Sequence, residues 1–384
     1  MISPELIIKL KTIDTPFYFY DIGLLNETLT CIKKYAEQFD FTIHYAVKAN
    51  SNNKILHHIK SFGFGVDCVS GNEIKAAIEN GFMGKEILFA GVGKNDQEIN
   101  FALEQQIQCF NCESIQEIEV INELAAKRKQ TTEIAIRINP NVDAKTHKYI
   151  TTGLNENKFG INFSDLPEVV NKLKKCPYLT LTGLHFHIGS QIIDFNVFKG
   201  LCLRVNEIQQ WFMDRNILIQ HLNLGGGLGI NYLEPEKDSI ADFEQYFNLF
   251  NRFLDRQPGQ QIHFELGRAI VAQCGHLISK VLYLKKSLQT EFVILDAGMT
   301  ELLRPALYQS FHKMENLTSS KTVKNYDVVG PVCETSDCFG KAVPLNETQR
   351  GDFMAIHSAG AYGEVMQSNY NLRLHHKPIY SDEL

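Results

Sequence analysis

The chain has 384 residues, 44% of them hydrophobic and 21% charged, a length and composition that suggest two globular domains with a large buried core. A formal net charge of -6 and an isoelectric point near 6.1 give no electrostatic reason to expect nucleic acid or an anionic membrane as partner, so a small dissolved molecule is expected instead. The 9 cysteines are scattered and odd in number, which excludes a simple disulfide framework and fits a reducing compartment.

The opening stretch, "MISPELIIKLKTIDTPF", carries acidic residues early and no apolar core that ends in a small-residue cleavage site. No uninterrupted apolar run long enough to span a membrane follows, so the cytoplasm is the expected location. From Phe41 a couplet recurs: a short run rich in Val, Ile and Phe, then a helical pattern opened by Asn, Ser or Asp. The predicted strands are "FTIHYAVK", "GVDCVS", "EILFAG", "IQCFNC", "EIAIRINP", "LTGLHFHI", "IQHLNLG" and "IHFEL". Helical patterns such as "NNKILHHIKSFG", "GNEIKAAIENG", "NDQEINFALEQQ" and "SIQEIEVINELAAKRK" lie between them. Repeated strand–helix couplets of this kind predict an α/β fold, a (β/α)8 TIM-type barrel, with functional groups at the carboxyl ends of the strands.

Within this series Cys109 and Cys112 make one CxxC, in "QCFNCES". With no second pair, and with residues three apart on opposite faces of a strand, zinc or redox use is disfavoured and no metal ligand is assigned.

After "FELGRAIVAQCG" the helical pattern stops and strand-like runs follow closely: "HLISKVLYLKKS", "EFVILDAG", "YDVVGPVC", "KAVPL" and "DFMAIHS". These predict a second, C-terminal all-β domain, so the barrel is placed over 22–270 and the β-domain over 271–384.

Alternation along the barrel strands sets a group of polar side chains on one face. Lys48 shares a face with His44, opposite Phe41, Ile43 and Tyr45. In the same way His185 and His187, Arg137 and Asn139, His263 and Glu265, and Asp67 stand opposite apolar neighbours. A lone buried ionic group is as often a paired structural charge as a functional one, but so many at strand ends point to a site. "LNLGGGLGI" follows the seventh strand, where backbone amides freed by glycine suit a phosphate. Gly226 and Gly227, with Ser190 in "HIGSQ" and Arg268 in "ELGR", are the candidate cradle.

A strand-end lysine, a phosphate cradle and an acid on the last strand suit pyridoxal 5'-phosphate. Lys48 would tether its aldehyde, Glu265 would keep the pyridine nitrogen protonated, His187 would lie flat on the ring, and Arg137 would pair with Glu265.

The motifs carry a resemblance over nearly the whole chain. "TPFYFYD", "HYAVKAN", "DCVSGNEI", "FAGVGK", "RINPNV", "ENKFGI", "HFHIGSQI", "NLGGGLGI", "ELGRAIV", "DAGMTELLRPALY", "VVGPVCETSDCFG" and "SAGAYGEVMQSNYN" resemble the fold-type III pyridoxal-phosphate decarboxylases, and among them the branch that converts meso-2,6-diaminopimelate to L-lysine and CO2. The resemblance implies that residues 1–21 join the β-domain. It implies Lys48 as the Schiff-base lysine, His187 as the ring-stacking group and Glu265 as the pyridinium partner, with Asp67 and Arg137 beside the cofactor. Ser190, Gly226, Gly227, Arg268 and Tyr362 would lie by the phosphate, and Arg268 and Tyr362 would also meet the substrate. Arg304 and Tyr308 would bind the distal head of the substrate. Cys333, as proton donor, and Glu334 would be lent by the second subunit of a homodimer with shared active sites. Leu266 stands where the family usually has proline, with no side-chain role at stake.

Competing readings separate on chemistry. A racemase profits from a weak electron sink and an arginine at the pyridine nitrogen, whereas an acid at Glu265 favours loss of CO2. An ornithine or arginine decarboxylase meets a substrate ending in a lone cation, while diaminopimelate ends in both an ammonium and a carboxylate, which an Arg304 and Glu334 pair suits better. A metal-dependent amidohydrolase could use the "HFH" histidines but leaves the glycine cradle unexplained, and a non-catalytic cofactor binder leaves "GPVCETSD" without a role.

Overall fold

The computed structural model describes residues 2–142 and 158–384. Of the motifs above, the first two residues of "ENKFGI" lie outside the described residues. The chain divides into two compact units, one of residues 29–229 and 242–267, the other of residues 1–28, 230–241 and 268–384.

A short strand, β1 (Phe17–Tyr20), precedes the series β2 (Phe41–Ala46), β3 (Gly65–Cys68), β4 (Ile87–Phe89), β5 (Cys109–Cys112), β6 (Thr132–Arg137), β7 (Leu179–His185), β8 (His221–Asn223) and β9 (Gln261–Leu266). Strands β2 to β9 pair in parallel and close into a barrel, as the eight predicted strands require. The intervening helices begin where a side chain can accept an otherwise unpaired N–H. Asn52, Ser70, Asn95 and Ser114 cap the helices Asn53–Ser61, Gly71–Glu79, Asp96–Glu104 and Ile115–Arg128. Outside the barrel, Phe41 and Phe264 pack on Phe247, which with Tyr246 and Phe250 forms the buried face of the helix Phe243–Phe253. Inside, His44 and His263 stack with 2.9 Å between Nε2 and Nδ1, so the predicted alternation holds. Burial pushes the His44 imidazole down to about 4.

Strand β2 is shorter than predicted. Its ladder to β9 ends at Tyr45 opposite Leu266, and a 3-10 turn, Val47–Ala49, follows. Lys48 therefore sits on a turn rather than in a strand.

The other unit holds a mixed sheet of β1, β10 (Gly275–Lys286), β11 (Glu291–Leu295), β12 (Met314–Asn316), β13 (Val323–Val329), β14 (Cys338–Asn346), β15 (Phe353–Ile356) and β16 (Ile379–Tyr380). Strand β1 runs antiparallel to β10 and parallel to β16. The predicted "YDVVGPVC" strand stops at Val329, which leaves Cys333 and Glu334 on the exposed turns that follow. No helix among the described residues is long and apolar enough to cross a membrane.

Candidate active site

In the barrel unit, polar groups meet at the carboxyl ends of the strands. Lys48 Nζ lies 3.1 Å from Oδ2 of Asp67, whose side chain has no exposure. Burial, with the charge of Glu265, pushes the Asp67 carboxyl up to about 7, against the pull of Lys48. Its other oxygen, Oδ1, is buried and has no hydrogen-bond partner among the described residues.

Glu265 stands on β9, buried, and accepts hydrogen bonds from Asn111 (3.1 Å) and Asn223 (2.6 Å) on Oε1 and from His185 (3.0 Å) on Oε2. Burial alone would raise its pKa, but His185, by charge and by hydrogen bond, and the nearby Lys48 hold it well below the usual carboxylate range. Glu265 is therefore an ionised acid in an enclosed place. His187 is pushed well below its ordinary value by burial and by the charges of Arg137 and Lys48, so it presents a neutral ring.

The predicted pairing of Arg137 with Glu265 does not occur. Arg137 donates to Glu113 at 2.6 Å, and the other Glu113 oxygen accepts the Gly160 N–H at 2.8 Å. The cause is register. Cys112 on β5 faces Ile136 on β6, so the next residues, Glu113 and Arg137, fall side by side and pair with each other.

The glycine turn follows β8. A side chain at Gly226 would put its Cβ 2.0 Å from the Glu265 carbonyl oxygen, and Gly227 has φ of +101° with Gly189 O only 2.8 Å from where a Cβ would stand. Backbone thus packs on backbone here. Gly226 N donates to His187 Nδ1 at 3.3 Å, and Ile192 N donates to Gly227 O at 2.9 Å, which draws the loop bearing Ser190 alongside the turn.

The second unit gathers its own cluster. The buried Arg268 donates to the Tyr232 hydroxyl at 2.7 Å and stacks over Tyr362 with 4.9 Å to the ring centroid. The buried Arg304 lies over Tyr232 and Tyr308 and donates to His312 at 3.3 Å. Burial would raise the Tyr232 phenol, but the two guanidiniums bring it below its usual value. Tyr362 has φ of +56°, a left-handed backbone rare for an aromatic residue. Cys333 is exposed and held through its N–H by Asn371, and Glu334 accepts the Tyr370 hydroxyl at 2.7 Å.

Five residues that bear on these clusters went unassigned in the sequence: Asn111, Glu113, His185, Asn223 and Tyr232. His185 was legible as an inward-facing side chain, and Asn111 and Asn223 obey the same alternation, but Tyr232 lies in irregular chain with no periodicity to expose it. The histidines of "HFH" part company, one to Glu265 and the other to the glycine turn, and no cluster of metal-ligating side chains occurs among the described residues.

The barrel mouth fits pyridoxal phosphate. It offers an amine bonded to a buried carboxyl group whose other oxygen lacks a donor among the described residues, an ionised acid, a neutral aromatic ring and a backbone turn with no room for side chains.

Comparison with known proteins agrees with that chemistry. The family described as "Pyridoxal-dependent decarboxylase, pyridoxal binding domain" matches residues 25–272. A diaminopimelate decarboxylase of Bacteroides thetaiotaomicron is 55% identical over 377 residues, 98% of either chain. The crystal structure of diaminopimelate decarboxylase from Helicobacter pylori complexed with L-lysine superposes with a TM-score of 0.92 at 38% identity, covering 98% of this chain and 94% of that one. A lysine/ornithine decarboxylase from Vibrio vulnificus, at 18% identity and a TM-score of 0.85, shares the fold.

Proposed function

Since this chain belongs to the pyridoxal-dependent decarboxylases, we propose that it removes CO2 from meso-2,6-diaminopimelate and releases L-lysine, the last step of lysine biosynthesis. The observation that carries the reading is an ionised, buried Glu265 in the same barrel mouth as Lys48, in a chain 55% identical to a diaminopimelate decarboxylase.

Bound pyridoxal 5'-phosphate supplies an electron sink conjugated to the substrate Cα, so that CO2 can leave without its bonding electrons. Lys48 would hold the aldehyde through its side-chain amine. Glu265, held ionised, would stabilise positive charge at the ring nitrogen, and His187 would offer the ring a neutral aromatic face. The turn at Gly226 and Gly227, with Ser190, would receive the phosphate through N–H and hydroxyl donors, and Arg268 and Tyr362 are proposed as further phosphate ligands from the resemblance alone. Asp67 orients Lys48 through the 3.1 Å contact, while Arg137 braces the mouth through Glu113.

Arg304 and Tyr308 take the distal head of the substrate, together with Arg268 and Tyr362 and with Glu334 of the partner subunit. Fixing that head decides which stereocentre meets the cofactor and lowers the barrier through orientation. One proton is consumed for each CO2 released, and Cys333, exposed on its turn, delivers it to Cα from the second subunit of a homodimer. Nine free cysteines fit work in the reducing cytoplasm.

Purified holoprotein is to be given meso-diaminopimelate, ornithine, arginine and lysine separately and CO2 measured. Release from meso-diaminopimelate with equimolar L-lysine is expected, and release from ornithine or arginine instead would overturn the substrate assignment. For shared sites, mixed Lys48→Ala and Cys333→Ala proteins regain activity through hybrid dimers. No recovery after verified subunit exchange would refute that arrangement.

A further inference from the structure

The three hydrogen bonds on Glu265 use three of the four acceptor positions that a carboxylate offers. Both positions on Oε1 are taken, by Asn111 and Asn223, and one on Oε2 by His185. Among the described residues a single acceptor position on Oε2 remains. The donors come from three strands, β5, β8 and β7, and each is buried.

Their orientation is itself fixed. Asn223 Oδ1 accepts the Gly225 N–H at 3.0 Å, so its amide nitrogen must face Glu265. The backbone of Glu265 donates to Gly225 O at 2.7 Å, which ties the acid to the same turn. His185 Nδ1 is buried with no partner, so the contact with the carboxylate through Nε2 is the one hydrogen bond the ring makes among the described residues. A carboxylate brings no proton, so His185 donates.

We infer that His185, Asn223 and Asn111 are positioning residues that hold Glu265 ionised and leave one Oε2 position for the protonated ring nitrogen of the cofactor, so that these three donors set the depth of the electron sink. The inference rests on the reading of Glu265 as the pyridinium partner. Each N–H bond makes the carboxylate a weaker base, and a weaker base leaves a shared proton on the ring nitrogen, where it draws electrons from Cα. An acid without these donors would take the proton for itself. Glu265 is thus tuned by residues that need not touch the substrate, and its own identity is insufficient for a strong sink.

The test follows the Glu265 carboxyl carbon by 13C NMR in protein without cofactor, assigned through Glu265→Gln. In the parent the group stays ionised over the pH range in which the protein is folded. His185→Leu and Asn223→Leu each raise the titration midpoint far enough for protonation to be seen within that range, and His185→Gln, which can still donate, restores the ionised state. In the holoprotein, the ring-nitrogen 15N shift of labelled cofactor moves toward the unprotonated value in the two leucine variants, and kcat falls about tenfold with KM within about twofold. Either leucine variant that folds decides the matter. Unchanged Glu265 titration in it overturns the inference even if borohydride still fixes the cofactor to Lys48. A shifted titration with no cofactor fixed to Lys48 in the parent upholds the ion-holding role and refutes the reading of the mouth as a pyridoxal-phosphate site.

Discussion

The ammonium of Lys48 stands 3.1 Å from a carboxylate oxygen of Asp67 that no solvent reaches. Burial and the negative Glu265 raise the Asp67 pKa to about 7 from an ordinary 3.8, so in protein without cofactor the folded state holds a proton that the unfolded chain has lost. The stability this proton brings is complete below about pH 3.8 and disappears as pH rises through about 7. Asp67→Asn removes the dependence. The variant should gain urea resistance relative to the parent between those limits, and parallel pH profiles for the two proteins would refute the assignment.

Backbone contact at the glycine turn predicts a steric penalty. In Gly226→Ala the added methyl meets the Glu265 carbonyl at 2.0 Å, where only backbone can yield. A cost of about 1 to 3 kcal/mol is expected, with a lower melting temperature and weaker cofactor retention. Gly93→Ala, with nothing within 4 Å of its new methyl, provides the comparison and should melt close to the parent. Equal melting temperatures for both variants would contradict the packing described.

Glu265→Gln keeps the shape of the side chain and removes its charge. Turnover should fall about 100-fold or more, while the protein still retains cofactor through the glycine turn and Lys48. Cofactor content by absorbance and kcat by CO2 release separate the two effects. Full turnover in this variant would remove Glu265 from the chemistry.

Tyr232 is bonded to Arg268 and lies under Arg304, so it fixes two buried guanidiniums in the β-sheet unit. A hydrogen bond to a charged group contributes about 1.5 to 3 kcal/mol. Tyr232→Phe is therefore expected to raise KM for meso-diaminopimelate about tenfold and to leave kcat within about threefold. If KM does not move, the phenol does not position the arginines for substrate.

The fold class was legible because the barrel strands are short apolar runs separated by capped helices, a rhythm that needs no knowledge of tertiary contacts. Strand β1 escaped notice for the opposite reason: all four of its residues are buried aromatics, so no alternation marks it. Alternation also told that Asp67 and Glu265 face inward, whereas Lys48, on a turn past β2, comes beside Asp67 by a change of direction that alternation does not describe. It could not tell which of them pair. The partner of Arg137 depends on the stagger between β5 and β6, and residues adjacent in a barrel layer are remote in sequence. The clamp on Glu265 was hidden likewise, since Asn111 and Asn223 acquire meaning only when the closed barrel brings their side chains to Glu265 across its interior.

The most direct test of the account is reduction of the holoprotein with borohydride followed by peptide mass spectrometry. A pyridoxyl group on Lys48, absent from Lys48→Ala, is the predicted result. A pyridoxyl group on any other lysine, or none at all in a protein that still releases CO2 from meso-diaminopimelate, would contradict it.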